Sequence, residues 1–304
     1  MANLSIYLCG IPLENPTILA SGILGTCKAI LGRVANCGAG AVTIKSISEE
    51  ARGGHANPTM IPLDAGFINA VGYSNPGLEE SLLEFADLSD VSSPVFASVI
   101  GQTPEQFARV AEKMAALPFA AIELPLSCPH TPGYGTLAGQ GTPEATEAIT
   151  SAVRAVTEKP IFVKISPNIP GLGEVAAAAE QAGADAITAV NSMGPGMLIN
   201  IDAREPVLDF KMGGVTGAAL RPVAVRCVYD VYRAVKIPVI GTGGVSSGRH
   251  AIEMIMAGAT AVGVGTAVYT DGMDVFGKIT REMSEWIEAN SVENLEEIRG
   301  AANH

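Results

Sequence analysis

Short apolar runs rich in Ala, Val and Ile recur along the chain, each followed by a glycine or polar turn and then an amphipathic, alanine-rich stretch. Eight such runs stand out: 17–20, 41–45, 95–100, 120–124, 161–165, 186–190, 239–241 and 261–264. That alternation predicts parallel strands joined by crossover helices. The spacing predicts helices over 104–116, 143–156, 173–182, 222–235 and 249–257, several opening with Pro or Gly, and a closing helix over 274–289. Residues 4–13 read as a small hairpin plugging the bottom of the assembly. A doubly wound sheet would usually open with a G-x-G-x-x-G turn after its first strand, and Ser21-Gly22-Ile23-Leu24-Gly25 does not match it. The pattern therefore predicts an α/β fold, a (β/α)8 TIM barrel with a short N-terminal β-hairpin, as one domain over 1–304.

Three non-helical stretches exceed ordinary connection length, at about 46–76, 126–142 and 191–220. All follow strands, which in a barrel is the catalytic face. Composition narrows the partners. The formal charge is −12, from 31 acidic and 19 basic residues, and no Lys/Arg cluster is present to neutralise a row of phosphates, so no nucleic-acid partner is expected. No apolar run reaches bilayer-spanning length, and no secretory signal is readable before Lys28, so a cytoplasmic protein is expected. Five cysteines without paired spacing read as reduced thiols, and four histidines without metal-ligand spacing predict no metal.

Chemistry concentrates at the strand ends. Gly241-Thr242-Gly243-Gly244 closes the seventh run and Val264-Gly265-Thr266 the eighth. A tight βα turn needs glycine in any case, but two such turns at neighbouring strand ends can converge their N–H groups on one phosphate. Lys45 and Lys164 each end an apolar run. Singly each could snorkel at a barrel rim; as a pair they suggest electrostatics directed at an anion or a flavin ring. Cys128, in Leu126-Ser127-Cys128-Pro129-His130, is a lone thiol in a loop rich in Gly and Pro, suited to a lid carrying a proton-transfer group. His130 is either a second titrating group or a loop hydrogen-bond partner. Cys9, Cys27, Cys37 and Cys227 read as core residues. Asn69 and the Asn191-Ser192 pair put amides where a planar imide or amide substrate could be gripped, or where a turn is capped.

In combination and order, Asn15-Pro16 through Ala20-Ser21-Gly22, Lys45-Ser46, Asn69-Ala70-Val71-Gly72 with Asn75-Pro76-Gly77, Ser127-Cys128-Pro129, Val163-Lys164 with Ser166-Pro167-Asn168, Asn191-Ser192, Gly213-Gly214 with Gly217, and the two glycine turns resemble the dihydroorotate dehydrogenase family, in its soluble, cysteine-dependent class 1 branch. The resemblance implies FMN-dependent oxidation of (S)-dihydroorotate to orotate in pyrimidine biosynthesis. It implies FMN held by Ser21, Lys45, Ser46, Lys164, Val190, Gly217, Gly243, Gly244, Gly265 and Thr266, and substrate held by Lys45, Asn69, Ala70, Val71, Gly72, Tyr73, Asn191 and Ser192, with Cys128 and Lys45 catalytic. It also implies a homodimer, and either fumarate as acceptor or an iron-sulfur/FAD electron-transfer subunit passing electrons to NAD. Two positions depart from the family's Asn-x-Ser-Cys-Pro-Asn: Pro125 and His130. Cys-Pro-His is similar to the barrel of dihydropyrimidine dehydrogenases, so a uracil-type substrate is an alternative, as is a barrel that binds a phosphorylated ligand without catalysis.

Overall fold

The computed structural model describes residues 3–126 and 140–303. An N-terminal hairpin pairs β1 (Ile6–Leu8) with β2 (Ile11–Leu13) antiparallel, with Ile6 opposite Leu13. Leu8 and Leu13 sink into the main core, and the Cys9 thiol donates to the Asp185 carbonyl at 3.2 Å, just before a barrel strand begins. The hairpin thus covers the N-terminal end of the barrel, as expected.

The barrel strands are β3 (Thr17–Leu19), β4 (Ala41–Thr43), β7 (Val95–Ser98), β8 (Ala121–Pro125), β9 (Ile161–Ile165), β10 (Ala186–Ala189), β15 (Val239–Thr242) and β16 (Ala261–Val264). They close in the order β10-β15-β16-β3-β4-β7-β8-β9, all parallel, each of the eight strands matching one expected run. Every residue of these strands is buried, because helices cover the outer face and packed side chains fill the inner one.

Between the strands run α1 (Lys28–Asn36), α2 (Leu78–Glu84), α3 (Pro104–Ala115), α4 (Pro143–Arg154), α5 (Leu172–Gln181), α6 (Arg221–Ala234) and α7 (Gly248–Ala257), followed by α8 (Ala267–Asp271) and α9 (Val275–Ala289). Local chemistry sets their starts. Thr103 and Thr142 accept the Gln106 and Ala145 amides ahead of Pro104 and Pro143, and Ser247 accepts the His250 amide. On α3 the buried residues Phe107, Val110, Ala111 and Met114 recur at helical spacing and face the sheet. The short helices α1 and α2 went unmarked in the sequence pattern, since a nine- and a seven-residue helix hold too few apolar repeats to show a period.

The long stretches after β4 and β10 are not plain loops. They supply β5 (Met60–Leu63), β6 (Gly66–Asn69), β11 (Met193–Gly196) and β14 (Gly213–Thr216), which form a four-stranded antiparallel sheet in the order β11-β14-β6-β5. A separate antiparallel pair, β12 (Ile199–Asn200) and β13 (Glu205–Pro206), lies between β11 and β14 in the chain. This sheet has its own small core of Ile68, Ala70 and Leu208.

Candidate active site

A cavity of about 360 Å³ opens where the C-terminal ends of the barrel strands meet the added sheet. Of the predicted site residues that are described, all but Ala70 line it: Ser21, Lys45, Ser46, Asn69, Val71, Gly72, Tyr73, Lys164, Val190, Asn191, Ser192, Gly217, Gly243, Gly244, Gly265 and Thr266. Ala70 turns the other way, into the small core with Ile68 and Leu208, and its amide donates to the Thr59 carbonyl at 2.8 Å. Successive strand residues face opposite sides, so Asn69 can point into the cavity only if Ala70 does not. Cys128 and His130 lie outside the described residues.

One end of the cavity gathers backbone N–H groups from two glycine turns. Gly243 and Gly244 follow β15 with φ of +138° and +72°, and a Cβ on Gly244 would stand 2.6 Å from Arg221 Cβ. Only glycine makes this turn. Gly265 and Thr266 follow the adjacent β16. None of the four backbone N–H groups donates to a protein acceptor among the described residues, although all four residues line the cavity. Unpaired amides gathered from two turns suit a phosphate. A Cβ on Gly265 would meet only Ala20 and Ile23, at 3.6 and 3.7 Å, so what it would narrow is the cavity wall.

The cations come from separate strands. Lys45 follows β4, and its amide donates to the Gly25 carbonyl at 2.8 Å. The two chains pass so closely there that a Cβ on Gly25 would lie 2.4 Å from the Lys45 nitrogen. Lys45 Nζ stands 6.0 Å from the centre of the Tyr73 ring, at the outer range of a cation–π contact. Lys164 sits on β9 with its side chain only 6% exposed. Its Nζ donates to Ser21 Oγ at 3.2 Å and lies 3.9 Å from Glu123 Oε1. Ser21 Oγ in turn donates to Glu123 Oε1 at 2.6 Å, and Thr188 Oγ1 donates to Glu123 Oε2 at 3.3 Å. Glu123 was passed over in the sequence, yet a carboxylate between Ile122 and Leu124 in a strand buried on both faces is itself a signal.

Amides and hydroxyls line the opposite wall. Asn69 Nδ2 donates to the Gly214 carbonyl at 3.2 Å across the β6–β14 pairing, which fixes its side chain while leaving its oxygen available. Asn191 N donates to the Ile165 carbonyl at 2.9 Å and Val190 N to the Thr242 carbonyl at 2.8 Å, so both residues are held by the neighbouring strand ends. Ser46 Oγ shares a 2.9 Å hydrogen bond with Ser98 Oγ. The loop 69–77 is knotted by Asn75, whose side chain donates to Ser48 Oγ and the Tyr73 carbonyl, both at 2.8 Å, and accepts from Gly77 N at 2.9 Å. Tyr73 adopts φ +57°, a left-handed conformation that a side-chain-bearing residue takes only at a cost of about 1–2 kcal/mol. Its hydroxyl donates to the Pro125 carbonyl at 3.4 Å. Pro125, which replaces an expected amide, thus offers its carbonyl to the site and is met by a phenol.

The four described cysteines line no part of the cavity. Burial, reinforced by the Asp185 charge, pushes the Cys9 thiol up to about 12; burial pushes Cys227 up to about 11; and Cys37 is raised by burial and by Asp274. Cys227 is buried and Cys9 packs against the core, as read from the sequence, whereas Cys27 and Cys37 are only partly buried and do not join the core. Among the described residues no group of His, Cys, Asp and Glu could hold a metal ion, and no helix is long and apolar enough to cross a membrane.

The family profile described as dihydroorotate dehydrogenase matches residues 3–287. The chain belongs to the dihydroorotate dehydrogenase family. Members are oxidoreductases that act on the CH–CH unit of their substrate, and this agrees with the class 1 resemblance carried by the site motifs. Among similar proteins is the "Dihydroorotate dehydrogenase B (NAD(+)), catalytic subunit" of Methanosarcina acetivorans, 47% identical over 299 residues, covering 97% of this chain and 95% of that one. Proteins of the same name from Methanothermobacter thermautotrophicus and Pyrococcus horikoshii are 45% and 43% identical, over 99% and 98% of this chain and 98% and 97% of theirs.

Proposed function

We propose that this chain is the catalytic subunit of a class 1 dihydroorotate dehydrogenase that holds FMN in the strand-end cavity and oxidises (S)-dihydroorotate to orotate in pyrimidine biosynthesis. The observation that carries the reading is the convergence, in one cavity, of unpaired amides from two glycine turns with two lysines from separate strands. The fit to a flavin mononucleotide is chemical at each end. Gly243, Gly244, Gly265 and Thr266 would take the phosphate, Gly217 and Val190 would flank the ring, and Ser21, Ser46, Lys45 and Lys164 would face its polar edge. When bound, the cofactor supplies a two-electron hydride acceptor.

The chain's own residues do the rest. Asn69, Asn191 and Ser192 carry donors and acceptors matched to a planar imide with a carboxylate, and Val71, Gly72 and Tyr73 close the wall beside them. Lys45 supplies positive charge next to Tyr73, where a substrate carboxylate gains most in a site closed to water. Cys128, which follows β8 in the sequence, is the base for the C5 proton, while the hydrogen on C6 leaves as hydride. None of the four described cysteines lines the cavity. Pro125 presents a carbonyl where an amide is usual, so binding on that side rests on Tyr73.

The relatives' name implies a second subunit; for this chain we propose an iron-sulfur/FAD electron-transfer partner reducing NAD, with the catalytic subunit as a homodimer in the cytoplasm. The test is to purify the chain, identify the released cofactor by mass, and titrate the yellow protein anaerobically with dihydroorotate and with dihydrouracil. FMN released and bleaching by dihydroorotate alone is the expected result. Bleaching by dihydrouracil alone would replace the substrate; full occupancy with neither bleaching would leave a binding barrel.

A further inference from the structure

Glu123 is 6% exposed and sits inside the barrel wall, one layer below the cavity floor. Strand alternation sends Ile122 and Leu124 outward toward the helices and Glu123 inward with Phe162 of β9, its register partner, and Thr188 of β10. A carboxylate there costs much solvation energy unless it is paired. Its partners account for both oxygens: Ser21 and Lys164 at Oε1, Thr188 at Oε2. Two of those partners, Ser21 and Lys164, also line the cavity, whereas Glu123 and Thr188 do not. The carboxylate therefore acts upward only through them. It accepts the Ser21 hydrogen bond, which orients that hydroxyl so that its oxygen faces Lys164 and the cavity as an acceptor, and it sets a negative charge against the Lys164 ammonium.

We propose that Glu123 is a positioning residue that sets the reduction potential of the bound flavin, by orienting Lys164 and Ser21 and by cancelling part of the Lys164 charge. This rests on the flavin reading given above. A flavin gains negative charge at its pyrimidine end on reduction, and Lys164 favours that form. Glu123 opposes it. Neutralising the carboxylate while keeping its shape exposes the full lysine charge, so the reduced cofactor should bind more tightly relative to the oxidised one.

The test compares the parent with Glu123→Gln, Glu123→Asp and Thr188→Val, each with FMN bound, by spectroelectrochemical titration of the flavin absorbance against a reference dye. One unit charge about 10 Å away at an effective dielectric of about 20 changes the ratio of reduced to oxidised affinity on the order of tenfold. The expected order of midpoint potential is Glu123→Gln highest, Glu123→Asp between, and Thr188→Val near the parent, because that variant removes only a neutral donor. A merely structural role would loosen flavin binding in all three without this order. Flavin-loaded Glu123→Gln at the parent's potential overturns the inference. Should that variant not fold, Glu123→Asp carries the test: an upward shift supports it and an unchanged potential overturns it. A parent protein that takes up no flavin overturns the cofactor reading instead.

Discussion

Gly244→Ala should cost both the barrel and its ligand, and the structure allows the cost to be worked out. Position 244 has φ +72°, where a residue with a Cβ pays about 1–2 kcal/mol. The new methyl would stand 2.6 Å from Arg221 Cβ and 2.8 Å from the Gly217 carbonyl oxygen. Neither is the free end of a flexible side chain, so the turn or the start of α6 must move, which adds about 1–3 kcal/mol of overpacking. Together the loss is about 2–5 kcal/mol, large for one methyl. Gly265→Ala is the control, since its backbone is ordinary and its methyl meets Ala20 and Ile23 at van der Waals distance. That variant should keep its stability within about 0.5 kcal/mol and lose affinity for FMN only. Urea unfolding of both apoproteins, with FMN titrated by fluorescence quenching, reads both effects. Equal stability for the two variants would rule out strain at position 244, because only that variant forces a Cβ into a left-handed backbone.

Other expectations follow from the same coordinates. Leu8→Ala empties a fully buried site where the hairpin meets the barrel and should destabilise by about 2–5 kcal/mol in urea melts, with FMN affinity kept in the folded fraction. Burial, aided by the Arg221 charge, lowers the His250 pKa. The unfolded chain therefore binds that proton more readily, and stability present above about pH 6.5 is lost as pH falls toward the folded value. His250→Gln should flatten that part of the profile of melting temperature against pH between about 5 and 7.5. Arg109 grips Glu49 through two hydrogen bonds of 2.9 and 2.8 Å, but both side chains are well exposed, so Glu49→Gln should leave the urea midpoint nearly unchanged, and the small difference should shrink further at high salt.

The barrel was legible because parallel strands buried on both faces leave continuous apolar runs, and all eight coincide with observed strands to within a few residues. The two glycine turns were legible as a pair, because a single βα turn needs glycine anyway while two at neighbouring strand ends can aim their N–H groups at one point. What the pattern concealed was the sheet of β5, β6, β11 and β14. Its strands come from segments about 120 residues apart, and runs such as Met-Gly-Pro-Gly and Gly-Gly-Val-Thr carry almost no strand propensity. They pair because the barrel brings them together. Ala70 was misplaced for a related reason: a motif names neighbours in sequence, while a strand sends alternate residues to opposite faces. Glu123 was visible all along as the one charge in Ala-Ile-Glu-Leu-Pro, but its meaning needed Lys164, Ser21 and Thr188 from three other strands.

On the proposed function, dihydroorotate would lose its C5 proton to Cys128 while a flavin held by the two glycine turns accepts the C6 hydride. Anaerobic stopped-flow mixing of the FMN-loaded parent and Cys128→Ser with dihydroorotate tests it most directly. The account predicts prompt bleaching of the parent and bleaching slowed by about 10²–10⁴-fold in the variant, with flavin retained in both, since a serine hydroxyl is a far weaker base than a thiolate. Equal rates in the two proteins would contradict it.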